Sequence, residues 1–176
     1  MGGGRRRKRQ LVLSLTPTPL SLVSLLAVYV GPTTESNWVI LDRLLVGAYP
    51  GVNDDDDNMS LLWSILTQKI TTFCCLQVEY PDPSVTEEMW RSGKAIRPYY
   101  KDAVDIVSHV DQMRAVAEPG HVAQYSNVTT SSKLDFVHVP IVDCSVTDDT
   151  TIIKLCKDLV ARLAKVRLDE ERRTEG

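Results

Sequence analysis

Four cysteines, three histidines and several clustered aspartates are the residues of this chain suited to nucleophilic, acid–base or metal chemistry. Cys74 and Cys75 lie side by side in the apolar run Ile70–Val78. Adjacent strand side chains point to opposite faces, and a free buried cysteine behaves as a small apolar residue, so neither reads as a nucleophile. Cys144 adjoins Asp143 in a loop-like stretch, where a thiol is exposed to oxidation. His138 falls inside a strand pattern and reads as a hydrogen-bonded structural histidine, while His109 and His121 have no partner that the sequence names. No Gly-x-Ser-x-Gly elbow accompanies them. Asp54–Asp57 invites a calcium reading, but such loops need carboxylates at alternate positions and a glycine for the turn, and this run has neither. It reads instead as a solvated acidic loop favouring the N-terminus of the helix that follows. There is no Cys-x-x-Cys and no His-x3-His, so no metal site and no cofactor is expected.

The elements that must hold these residues follow from periodicity. Trp38-Val39-Ile40 and Leu44-Leu45-Val46 read as two strands around a tight turn at Asp42-Arg43, closed by Tyr49-Pro50-Gly51. Met59, Leu61, Leu62, Trp63, Ile65 and Leu66 recur at helical spacing, with Asp57 or Asn58 expected as N-cap. Ile70–Val78 is β-branched and apolar, the pattern of a buried strand. Pro81, Pro83, Gly93 and Pro98 break up residues 79–100. Ala103–Ala117 reads as an amphipathic helix ended by Pro119-Gly120, and residues 121–132 as loop. Leu134–Val142 is a second strand, with Pro140 near its end where a ladder donor is spared. Asp148 or Asp149 then caps a helix whose stripe is Ile152, Ile153, Leu155, Cys156, Leu159, Val160 and Leu163, so that Cys156 is expected in the core. After Ala164 the chain turns to charge, and 166–176 reads as a tail. Strands alternating with helices predict an α/β domain with a central mixed or parallel sheet flanked by helices.

With 176 residues, 43% of them apolar, the chain suits one ordinary core and excludes collagenous, low-complexity and polytopic membrane classes. Its net charge of −3 conceals five basic residues at Arg5–Arg9, which leave −8 on residues 10–176. An acidic body of that kind predicts no nucleic-acid partner. Residues 1–35 form a separate leader, in which the basic cluster precedes a charge-free run, Leu11–Gly31. That order suits a secretory signal or anchor, yet Pro17 and Pro19 interrupt it and Val30-Gly31-Pro32 is a poor cleavage site. The expectation is a disordered or mistranslated leader on a cytoplasmic protein, with membrane attachment or secretion through residues 11–31 as the alternative. Two Asn-x-Ser/Thr sequons, at Asn58 and Asn127, are about what chance supplies, and Asn58 reads more simply as a capping residue.

Phe136-Val137-His138-Val139-Pro140-Ile141-Val142-Asp143, followed by a capped amphipathic helix, resembles the general-acid loop of cysteine-dependent dual-specificity and tyrosine phosphatases. Asn37-Trp38-Val39-Ile40 and Arg43–Gly51 are similar to that family's first two strands, and Ile70–Gln77 to its next one. The resemblance covers residues 36–165 and makes Asp143 the general-acid candidate, the residue that would protonate the leaving oxygen. It implies hydrolysis of phosphate monoesters through a cysteinyl-phosphate, on a phosphorylated protein or another phosphomonoester.

The family's helix leads into a strand ending in His-Cys-x5-Arg, whose loop holds the phosphate. Here Val166–Arg173 follows the helix, and the signature loop is missing. Cys156–Arg162 is a formal Cys-x5-Arg match, but it contains no glycine and sits on a helical stripe, where six residues separate the two side chains by about 120°. Helix-interior N–H groups are already engaged and do not cradle a phosphate. The sequence therefore predicts the N-terminal part of a phosphatase-like domain, inactive as it stands, with its central strand lacking and apolar faces of the flanking elements exposed. A non-catalytic interaction module and a truncated gene product are the alternatives.

Overall fold

A computed structural model describes residues 29–80, 84–118, 122–142, 145 and 147–174, with the backbone alone described at 122, 124 and 166–174. The chain runs β1 (Ser36–Ile40), β2 (Leu44–Gly47), α1 (Asp55–Leu66), β3 (Thr72–Gln77), α2 (Glu87–Arg91), α3 (Tyr99–Val116), β4 (Asp135–Ile141) and α4 (Asp149–Thr174). Two short 3-10 turns, Val122–Tyr125 and Ser131–Lys133, lie between α3 and β4. The α/β class predicted from the alternating pattern is present. The central sheet is not one sheet, however: β1 pairs antiparallel with β2, β3 pairs parallel with β4, and the two pairs are separate.

The hairpin forms because Asp42 accepts a left-handed backbone, φ 57°, in the turn between two apolar runs. Pairing of β3 with β4 in parallel requires a crossover, and α3 provides it. Tyr99, Ala103, Ile106, Val107 and Val110 line the buried stripe of α3, packed against Leu62, Ile65 and Leu66 of α1 and against Phe73 and Cys75 of β3. The core thus lies on one face of the β3–β4 pair, and α4 crosses the other, where Arg162 reaches Thr72 and Asp135.

Several expectations need correction. The N-cap of α1 is Asp54, which accepts from the N–H groups of Asp56 and Asp57; Asn58 is a buried residue inside the helix. The helix expected from Ala103 begins at Tyr99, because the Tyr99 ring, 3% exposed, belongs to the core stripe one turn earlier. The loop expected at 121–132 contains the two 3-10 turns and buries Val128 and Thr129. The charged stretch from 166 to Thr174 continues α4 rather than forming a tail, since it has no glycine or proline and is rich in helix formers. Cys156 is exposed, not in the core; Leu155 is the buried residue of that turn. Ile152, Ile153 and Val160 of the expected stripe are exposed as well, so much of this helix's apolar surface has nothing packed on it.

Candidate functional site

Asp143, the general-acid candidate, and its neighbour Cys144 lie outside the described residues, as do the leader through residue 28 and His121. Asp148 is accounted for as a cap: its carboxylate accepts from the Thr151 N–H at 2.9 Å and the Thr151 hydroxyl at 2.7 Å. Those bonds, the hydroxyl's first, hold the Asp148 carboxyl below its usual range. His138 is structural, with Nε2 against the Gln77 carbonyl at 2.8 Å, which ties β4 back to β3.

Cys156 and Arg162 lie within α4 and form no phosphate loop. Arg162 is held by two carboxylates, donating Nε to Asp158 at 2.7 Å and Nη1 to Asp135. The thiol near Arg162 is instead Cys74, half-buried on the face of β3 beneath α4. Burial pushes the Cys74 thiol up, Cys75 adds to that, and the opposing pull of Arg162 does not overcome it. Burial likewise raises Cys75. A phosphatase nucleophile needs the reverse, a thiolate stabilised by cations and backbone N–H groups. Among the described residues no three His, Cys, Asp or Glu side chains gather to hold a metal ion, and no helix is long and apolar enough to cross a membrane.

The aspartates at 54–57 serve the fold. Asp54 caps α1, and Asp55 bridges Arg91 and Arg97 at 2.7 Å each. Both guanidiniums stack on Trp90, 4.4 Å from its ring centre on each count, so one indole and one carboxylate join α1, α2 and the start of α3. Arg97 also donates to Asp102 at 2.7 Å, and Asp102 accepts from the fully buried Asn58. Asp55, Trp90, Arg91, Arg97 and Asp102 border an open cleft of about 1160 Å³, to which Tyr100, Phe136 and His138 also contribute. Its two arginines are already neutralised by carboxylates. Asn58 is therefore a network residue, and its sequon is closed to modification in the folded protein.

The second cavity, about 330 Å³, separates the two strand pairs. The bond from the Ala48 N–H to the Glu35 carbonyl fixes which β2 residues face β1. Alternation then turns the peptide groups of Leu45 and Gly47 to the opposite edge, toward this cavity. On β3 the Thr71 carbonyl accepts from the Asp135 N–H, so Thr71 faces β4 and the peptide groups of Thr72 and Cys74 face the other way. Both unpaired edges border the same slot. Leu61 and Ile65 of α1 form one apolar side of it, and Leu159 and Leu163 of α4 the other.

No family model, no curated protein and no solved structure matches this chain. The sequence places Leu45, Leu61, Ile65, Cys74, Leu159 and Leu163 in separate strands and helices, with nothing to say that they border one slot. The signal available was the pair of apolar runs Leu44–Val46 and Ile70–Val78, each of which reads as buried on both faces. For Arg97 and Trp90 no periodic signal exists, because Arg97 bonds to Val52 and Asp55, 45 and 42 residues away, and Trp90 serves through the guanidiniums stacked on it.

Proposed function

We propose that this chain is a phosphatase-like scaffold, resembling dual-specificity and tyrosine phosphatases over residues 36–165, that works as a non-catalytic protein-interaction module. The observation that carries this reading is the open slot between β2 and β3, two sheet edges with unpaired peptide groups where a phosphatase-like sheet would be continuous. Supporting it, burial raises the Cys74 and Cys75 thiols, and Arg162, whose charge acts on Cys74, is held by Asp135 and Asp158. The family's reaction, phosphate monoester hydrolysis through a cysteinyl-phosphate with Asp143 as acid, needs a thiolate loop that these residues do not form.

The test is turnover of a generic aryl phosphate by the 176-residue chain. The expected result is no release above buffer, and no change on substituting Cys74→Ser or Cys156→Ser. Release that either substitution abolishes would overturn the non-catalytic reading and restore the enzyme.

A further inference from the structure

We propose that the slot between β2 and β3 is a strand-accepting site, occupied by an extended segment of another polypeptide that is apolar on both faces. This rests on the interaction-module reading and specifies its partner. The four sides of the slot dictate the chemistry. Leu45 and Gly47 on one side, and Thr72 and Cys74 on the other, present backbone donors and acceptors, which only another extended backbone matches along its whole length. Leu61 and Ile65 lie to one face and Leu159 and Leu163 to the other, so both alternating sets of side chains on the incoming strand meet apolar surface.

An ordinary half-buried strand, apolar on one face and polar on the other, does not satisfy that geometry; a short uninterrupted run of Val, Ile or Leu does. Flanking strands of 4 and 6 residues limit the paired core to about five residues. Proline is excluded from its centre because both neighbours require hydrogen bonds. The inserted strand would join the hairpin and the parallel pair into one five-stranded sheet, removing two exposed edges at once. Gly47 marks how tightly the β2 wall is built, since a Cβ there would stand 2.9 Å from the Glu35 carbonyl oxygen.

Cys74 lies in the slot wall, and Cys156 is exposed on α4 and does not border it. The test measures alkylation of each thiol by iodoacetamide, resolved by site with mass spectrometry, on the full chain. The probe is the peptide Lys-Lys-Val-Ile-Val-Leu-Val-Lys-Lys; its control is the same peptide N-methylated at alternate core residues, which keeps the side chains and removes donors. The proposal expects the probe to slow Cys74 about tenfold at ten times its Kd and leave Cys156 unchanged. The N-methylated peptide and a Leu159→Arg variant, shown folded by its melt, should give no protection. Equal protection by both peptides would mean greasy adsorption and overturn the proposal. No protection at any soluble concentration would overturn it too, leaving the non-catalytic reading to be decided by the aryl phosphate assay alone.

Discussion

Asn58 offers the sharpest check on how α1 is fastened to the rest of the domain. Its side chain is 2% exposed, donates Nδ2 to Asp102 at 3.1 Å and accepts from the Val52 N–H at 3.2 Å. Asn58→Ala removes both bonds. The bond to a charged carboxylate is worth about 1.5–3 kcal/mol and the neutral one about 1 kcal/mol. Alanine returns about 0.6 kcal/mol through its helix propensity. Asp102 keeps its bond to Arg97 and is not left as an unpaired charge. The net loss expected is about 2–3 kcal/mol, read from urea unfolding by the fluorescence of Trp38, Trp63 and Trp90.

Asn58→Asp keeps the shape but sets a second carboxylate against Asp102, so at pH 7 it should be less stable than the alanine variant. The repulsion raises the pair's carboxyl pKa above the unfolded value of about 4. The penalty is therefore fully present at neutral pH and fades as pH falls through the raised folded value, so the gap between the two variants narrows by about pH 4.5. An alanine variant within about 0.5 kcal/mol of the parent, or an aspartate variant more stable than it at pH 7, would refute this account of the network.

Arg114 donates to the carbonyls of Tyr125, Val128 and Thr129, so Arg114→Met should cost about 3 kcal/mol and speed proteolytic nicking within residues 122–133. Unchanged nicking would mean that the segment is held by burial of Val128 alone. In the folded protein without added peptide, Cys74 should react with iodoacetamide more slowly than Cys156 at pH 7, because burial favours its neutral thiol; equal rates would contradict the placement of α4 over β3. Burial pushes Tyr80 up to about 12 and raises Tyr49 and Tyr99 further, so absorbance at the phenolate band should show these three ionising only as the fold opens. Asp135 is held below its usual range first by the Arg162 bond and then by the Phe136 N–H. Its depressed folded value adds stability above the unfolded pKa, lost as pH falls through the folded one; at this exposed pair the amount is under about 1 kcal/mol, and Arg162→Met should shrink that pH dependence to the part the Phe136 N–H still supports.

Much of the fold was legible in the chain. The apolar runs at 38–40 and 44–46 form the hairpin, the β-branched run at 70–78 forms β3, and the Asp148 cap and the structural role of His138 stand as their local context implied. The strands and the Asp148 cap depend on neighbours within a few residues, or on a period that a single segment displays; for His138 the strand was legible, but its partner Gln77 lies 61 residues away. The candidate site was less legible for the opposite reason. The slot exists only where β2, β3, α1 and α4 converge, and the Trp90 cluster includes pairs 36 to 45 residues apart in sequence, such as Asp55 with Arg91 and Val52 with Arg97. Cys156 shows the limit most plainly: its place in an apolar stripe was read correctly as helical, yet the stripe is wider than the surface available to cover it.

The sequence by itself therefore determined which segments extend, which coil and which face of each is apolar, because those follow from side-chain periodicity and local hydrogen bonding. Tertiary structure alone decided what each apolar face meets. It buried Asn58 inside α1, neutralised Arg97 and Arg162 with carboxylates from other elements, and left the sheet divided between β2 and β3. A strand's pattern records that it needs a neighbour on each edge, and only the folded chain shows whether that neighbour is there.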